Sequence, residues 1–194
     1  LDTVLEALAE SDAPAAVESR ADTERNWATA SMTDLCDHIE QTHHIYLKRD
    51  LPRMEMLIDK VVNAHGAKDA RLARLRQTFL GLRDEILSHL MKEEQILFPM
   101  CRAMDQADGP VAFHCGSVAS PIEVMIREHD DAGDALEQMR ALTDDYTPPA
   151  EACNTWRAMC AALEELEQDM HQHVHKENNI LFPKAIRAEN NLRR

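Results

Sequence analysis

Apolar side chains recur at intervals of three and four over four long stretches of the chain, the spacing that lines one face of an α-helix. The first stretch runs from Thr33 and carries Leu47, Leu51, Met54, Ile58 and Val61, with His44 on the same stripe. Pro52 falls inside it, where a residue without an N–H is expected to kink the helix. The second stripe is Leu75, Phe79, Leu82, Ile86, His89, Glu93, Ile96 and Met100. After a break at Asp108, Gly109 and Pro110, the run Ser120-Pro121-Ile122-Glu123 reads as an N-cap, a first-turn proline and a capping glutamate. The third helix then follows, with the stripe Ile122, Met125, His129, Ala132, Leu136 and Met139. Thr147-Pro148-Pro149 is expected to open the fourth, whose stripe is Trp156, Met159, Leu163, Leu166, Met170, His173, Glu177 and Ile180. Four long helices with short connections predict an all-α fold, an up-down four-helix bundle.

The bundle is expected over 31–188, with a short C-terminal tail at 189–194. Residues 1–30 hold one short apolar stretch, Val4, Leu5 and Leu8, then a segment rich in Pro, Ala and acidic residues from Asp12 to Glu24, which reads as a tail or linker. The chain opens at Leu1 with neither a basic nor an apolar leader, so it is expected to be part of a longer one. Aromatic residues at 4% and only five glycines agree with helix over sheet. No apolar run reaches the length that spans a bilayer, so a membrane helix is not expected. A net charge of −14 repels phosphate backbones and anionic membrane surfaces, which argues against nucleic acid and membranes as partners. The five cysteines (Cys36, Cys101, Cys115, Cys153 and Cys160) include no C-x-x-C pair and are odd in number, so they read as buried free thiols in a reducing cytoplasm.

The chemistry lies in a repeat. The segments His89–Pro99 and His173–Pro183 both fit H-x-x-K-E-x-x-I-L-F-P, 84 residues apart, and a lone histidine sits on the preceding stripe of each half, His44 and His129. The chain thus reads as two repeated helical hairpins, each with one His on its first helix and His-x-x-x-Glu on its second. Residues four apart stack on one helix face, so His89 with Glu93, and His173 with Glu177, aim an imidazole and a carboxylate at the bundle axis. Together with His44 and His129 they make a set of four nitrogen and two carboxylate ligands. That is too many for one tetrahedral zinc and suits two metals bridged by carboxylates. Buried glutamates with no cation beside them would cost several kcal/mol (~), and no Lys or Arg of these stripes is placed to pair with them.

The other histidines read differently. His171 and His175 are four apart but face away from the Leu166, Met170 stripe, and His38, His65 and His114 read as solvent or loop residues. His43 shares a stripe with Leu35 and Ile39, whereas His44 shares one with Leu47 and Leu51, so His44 is preferred. Lys92 and Glu94 flank the first motif; Glu94 borders the stripe, where it is either solvated or orients ligands from outside.

These residues resemble the hemerythrin-like di-iron proteins and, within them, the iron–sulfur cluster repair proteins, also called repair of iron centres. The resemblance covers about residues 26–186. It is carried by Asp37-His38-Ile39, Thr42-His43-His44 and Leu51-Pro52; by His89 with Lys92 to Pro99; by Glu128-His129-Asp130 and Gly133; and by Glu177 to Pro183. It implies two non-haem irons, oxo-bridged when oxidised, on His44, His89, His129 and His173 with Glu93 and Glu177 bridging, and its Leu-Pro after the first ligand settles the choice on His44. It implies repair of clusters damaged by nitric oxide or oxidative stress, with damaged iron–sulfur proteins as partners and oxygen or nitric oxide as small ligands. A homodimer is one assembly open to it. Family members usually begin with a small domain bearing a cysteine pair, and Leu1 to Ala9 resembles the tail of that domain. The alternative is a hemerythrin-like carrier or sensor of oxygen or nitric oxide. A ferritin-like oxidase fits less well, because its sites use Glu-x-x-His and here His comes first at a spacing of four. No catalytic residue is assigned.

Overall fold

The computed structural model of the chain describes residues 26–193. Most of the tail expected over 1–30, including Val4, Leu5 and Leu8, lies outside the described residues. Residues 26–30 form a turn in which Asn26 accepts from the Ala28 N–H and the Thr29 hydroxyl. The bundle starts at Ser31, and every regular element among its described residues is helical. Helix α1 (Met32–Ile39) widens into a π-helical turn (Glu40–His44) and continues as α2 (Ile45–His65). Helix α3 (Arg71–Lys92) likewise passes through a π-turn (Glu93–Leu97) into α4 (Phe98–Asp105). Then come α5 (Ala119–Leu142), α6 (Asn154–Lys176), a third π-turn (Glu177–Leu181) and α7 (Phe182–Leu192).

The predicted stripes are the core. Leu47, Leu51 and Ile58 of α2 meet Leu75, Phe79 and Leu82 of α3, with Leu136 and Met139 of α5 and Leu163 and Leu166 of α6 closing the bundle, all of them buried. Helix α2 packs on α3 and α6, and α3 packs on α5. Ser31 caps α1 by accepting from the Asp34 N–H at 2.9 Å, so the chain enters the bundle through an ordinary serine cap. Pro52 does not end its helix, which runs from Ile45 to His65 through it.

Three boundaries differ from expectation. Helix α5 starts at Ala119, so Ser120 is already inside the first turn. The start is held instead by the buried Glu189 of α7, which accepts from the Val118 N–H at 3.1 Å and the Ser117 hydroxyl at 2.7 Å. Helix α6 begins at Asn154, not at the Pro148-Pro149 pair, because Pro149 first accepts from the Ala152 N–H in an intervening turn. The last helix reaches Leu192, beyond the tail boundary expected at 188. Among the thiols, Cys36, Cys101 and Cys160 are buried and free as expected, whereas Cys115 and Cys153 are exposed because they lie in the loops before α5 and α6.

Candidate metal centre

The π-turns fall at the level of the predicted ligands: one contains His44, and the other two start at Glu93 and Glu177. A π-turn takes one residue more than an α-turn, so it rotates all that follows by one position. Leu97, not Ile96, therefore enters the core, with Ile96 48% exposed, and Leu181 is buried in place of Ile180. Simple helical spacing misassigns both isoleucines for this reason.

All six predicted residues are buried and converge at one level of the bundle. They form two groups whose ligand atoms lie within 4.8 Å of one another: His89, Glu93, His129 and Glu177, and His44, Glu93 and His173. Glu93 stands with Oε1 3.1 Å from His89 Nε2 and Oε2 3.3 Å from His44 Nε2. Glu177 stands with Oε2 3.1 Å from His129 Nε2 and Oε1 3.4 Å from His173 Nε2. Short as these separations are, both carboxylates and the Nε2 atoms of His44 and His173 have no hydrogen-bond partner among the described residues. The atoms lie close enough together to share a cation. Adjacent ligand atoms of an octahedral ion with bonds of about 2.1 Å lie about 3.0 Å apart. The Nε2 atoms of His89 and His129, at 3.1 Å, match that separation. This donor set fits a pair of cations of the hard-to-borderline kind that take imidazole with carboxylate.

Groups behind the imidazoles fix their orientation. His44 Nδ1–H donates to Glu94 Oε1 at 2.8 Å, His89 Nδ1–H to Glu128 Oε2 at 2.9 Å, and His129 Nδ1–H to the Asn178 side-chain oxygen at 3.0 Å. Each bond turns the ring's Nε2 inward, the orientation in which it can meet a cation. Burial opposes charge on His44 and His89, but the surrounding carboxylates prevail. Glu93 and Glu94 raise the His44 pKa, and Glu93, Glu177 and Glu128 push that of His89 up to about 9. Burial alone would favour the neutral acid at Glu177, yet His173 and His129 hold it well below the usual carboxylate range.

Glu94 is thus placed behind His44, and Lys92 pairs with Glu128. Sequence reasoning gave no role to Glu128, Asn178 or, above all, His43, which it set aside as a ligand in favour of His44 and which is as buried as His44, at 1% exposure. His43 is bonded to Asp169 and Lys176, and its ring lies parallel to that of His173. The available signal was adjacency, since Glu128 and His43 each immediately precede a candidate ligand. His171, His175 and His114 are exposed, His38 and His65 are half-buried, and none of these belongs to either group. An open cleft of about 420 Å³ between α5 and α6 reaches His129 past Ala132 and Gly133.

Comparison with known proteins accords with this geometry. The family model described as the hemerythrin HHE cation binding domain matches residues 36–185. The iron-sulfur cluster repair protein YtfE of Musicola paradisiaca is 41% identical over 175 residues, which is 90% of this chain and 75% of that protein. Those of Enterobacter sp. and Escherichia coli O81 are each 40% identical over 166 residues, 86% of this chain and 71% of each relative.

Proposed function

The chain belongs to the hemerythrin HHE cation-binding family, and from that premise we propose that its buried cluster holds two irons and supplies iron for the repair of damaged iron–sulfur clusters. The ligands in this reading are His44, His89, His129 and His173, with Glu93 and Glu177 shared between the irons and an oxo bridge in the oxidised form. One observation carries it: two sets of buried donors share Glu93, and the oxygens of Glu93 and of the equally buried Glu177 have no hydrogen-bond partner among the described residues. The cluster-repair name of relatives at about 40% identity supports the second half of the reading. Bound iron would supply an exchangeable cation and a redox-active centre open to oxygen or nitric oxide.

The chain's own groups suit exchange. Glu94, Glu128 and Asn178 hold three imidazoles in the ligating orientation, so loading needs little reorganisation. Unloading needs protons to take the place of the cation on the donors it vacates. Damaged iron–sulfur proteins are the recipients in this reading, and the cytoplasm, where free thiols persist, is the compartment. The cleft that reaches His129 gives the second reading, a gas-binding sensor, its one support.

The test mixes the iron-loaded protein with a nitric-oxide-damaged iron–sulfur protein and follows recovery of the recipient's cluster. Recovery is expected with the wild type and not with Glu93→Leu/Glu177→Leu. Equal recovery with both, or with free ferrous iron alone, contradicts repair through this centre.

A further inference from the structure

The repeat relates the surroundings of the ligands as well as the ligands. His44 and His129 occupy equivalent places, and each stacks on the equivalent phenylalanine, Phe98 at 5.5 Å and Phe182 at 5.9 Å between ring centroids. Each also donates Nδ1–H to the residue that follows a cluster glutamate, Glu94 or Asn178. For His89 and His173 the equivalence fails. His89 donates to Glu128, which Lys92 holds in turn. The counterpart of Lys92 is Lys176, and the counterpart of Glu128, the residue before the first-helix histidine, is His43.

His43 cannot do what Glu128 does. An ammonium has only protons to give, so Lys176 Nζ, 3.0 Å away, makes His43 Nε2 an acceptor. The ring proton is then on Nδ1, which donates to Asp169 Oδ1 at 2.8 Å. With both nitrogens engaged, His43 presents only its face to His173, with centroids 5.2 Å apart and planes 5° from parallel. His173 Nδ1 is buried with no hydrogen-bond partner among the described residues, whereas the Nδ1 of each of the other three histidines is bonded. The donor groups are unequal in the same sense, four residues around His89 and His129 against three around His44 and His173.

We propose that the two iron positions are unequal by construction, and that the one at His44 and His173 gives up its iron first because His43 stands where the other half has an anchoring carboxylate. The inference rests on the two-iron reading. An imidazole without a hydrogen-bond partner behind it is held less firmly as a ligand, and loss of such a partner typically lowers metal affinity by about 10–100-fold. The ion leaves as ferrous ion without change of oxidation state, and protons from solvent take its place on the donors it vacates. The iron at His89 and His129 stays behind, so one delivery need not dismantle the site.

The test follows release from the fully loaded, reduced protein to an excess of the ferrous chelator ferrozine. Two phases of one iron each are expected, their rates differing by about tenfold or more. His43→Glu gives His173 Nδ1 an acceptor and should slow the fast phase toward the slow one. Glu128→Ala should speed the slow phase and leave the fast one alone. Mössbauer spectra of the oxidised wild type, loaded with iron-57, should show two distinct quadrupole doublets that draw together in His43→Glu. A single release phase for two irons in the wild type overturns the proposal, as does a loaded His43→Glu whose fast phase is unchanged. If His43→Glu loads poorly, the wild-type phases and Glu128→Ala decide: acceleration of the fast phase alone in Glu128→Ala overturns the assignment. A wild type that never loads two irons refutes the underlying reading instead.

Discussion

The outward nitrogen of His44 donates to Glu94, and Glu94 also takes an ion pair from Lys48, so one side chain at the rim sets the ring that faces the buried centre. Burial disfavours charge on Glu94, but Lys48 and His44 keep its pKa low and the carboxylate ionised. Removing it in Glu94→Ala should lower iron affinity by about 10–100-fold while the bundle stays folded, as measured by chelator competition beside circular dichroism. An unchanged affinity would mean that the ring is held by packing on Phe98 alone. His89 gives a pH dependence of definite sign. Its pKa of about 9 in the metal-free protein means that a cation must displace a proton from it at neutral pH. Iron binding in weak buffer should therefore release protons, and affinity should fall as pH drops below about 9, by roughly tenfold per unit for each proton displaced. Binding without proton release at pH 7.5 would contradict this. In the metal-free bundle the same shift stabilises fully below the ordinary value of 6.5 and is lost as pH rises through about 9.

Among the elements, α7 holds the start of α5. Glu189 is buried, and its carboxylate satisfies the Val118 N–H and the Ser117 hydroxyl. Glu189→Ala leaves a buried N–H without an acceptor and should lower stability by about 1–3 kcal/mol in urea denaturation, with little change in iron content. Stability within experimental error of wild type would show that the helix start is held by other contacts. This contact also shows where sequence reading stops. The four stripes and the His-x-x-x-Glu repeat are legible because spacing of three and four is a local property, and Met125, His129, Ala132, Leu136 and Met139 are buried as that spacing requires. A cap supplied from a residue 71 positions away is a tertiary event, and Ser120 looks like the cap only to a local reading. The π-turns are hidden for a related reason. Opening a helix at Glu93 and Glu177 costs backbone hydrogen-bond geometry that only the clustering of buried donors makes worthwhile, and Ile96 and Ile180 read as core until that register shift is seen. His43 escaped because its partners, Asp169 and Lys176, lie on α6, more than 120 residues further along.

At the scale of the whole molecule, an acidic chain of net charge −14 buries two carboxylates completely at the centre of its helices. Such charges destabilise a bundle unless something cationic meets them, so the site exchanges fold stability for the capacity to bind. The most direct check on the central claim is the iron content per chain, measured by mass spectrometry of the metals in protein reconstituted with ferrous iron and freed of excess. The account predicts two irons in the wild type and none in Glu93→Leu/Glu177→Leu. One metal per wild-type chain, or two irons retained by the double variant, would contradict it.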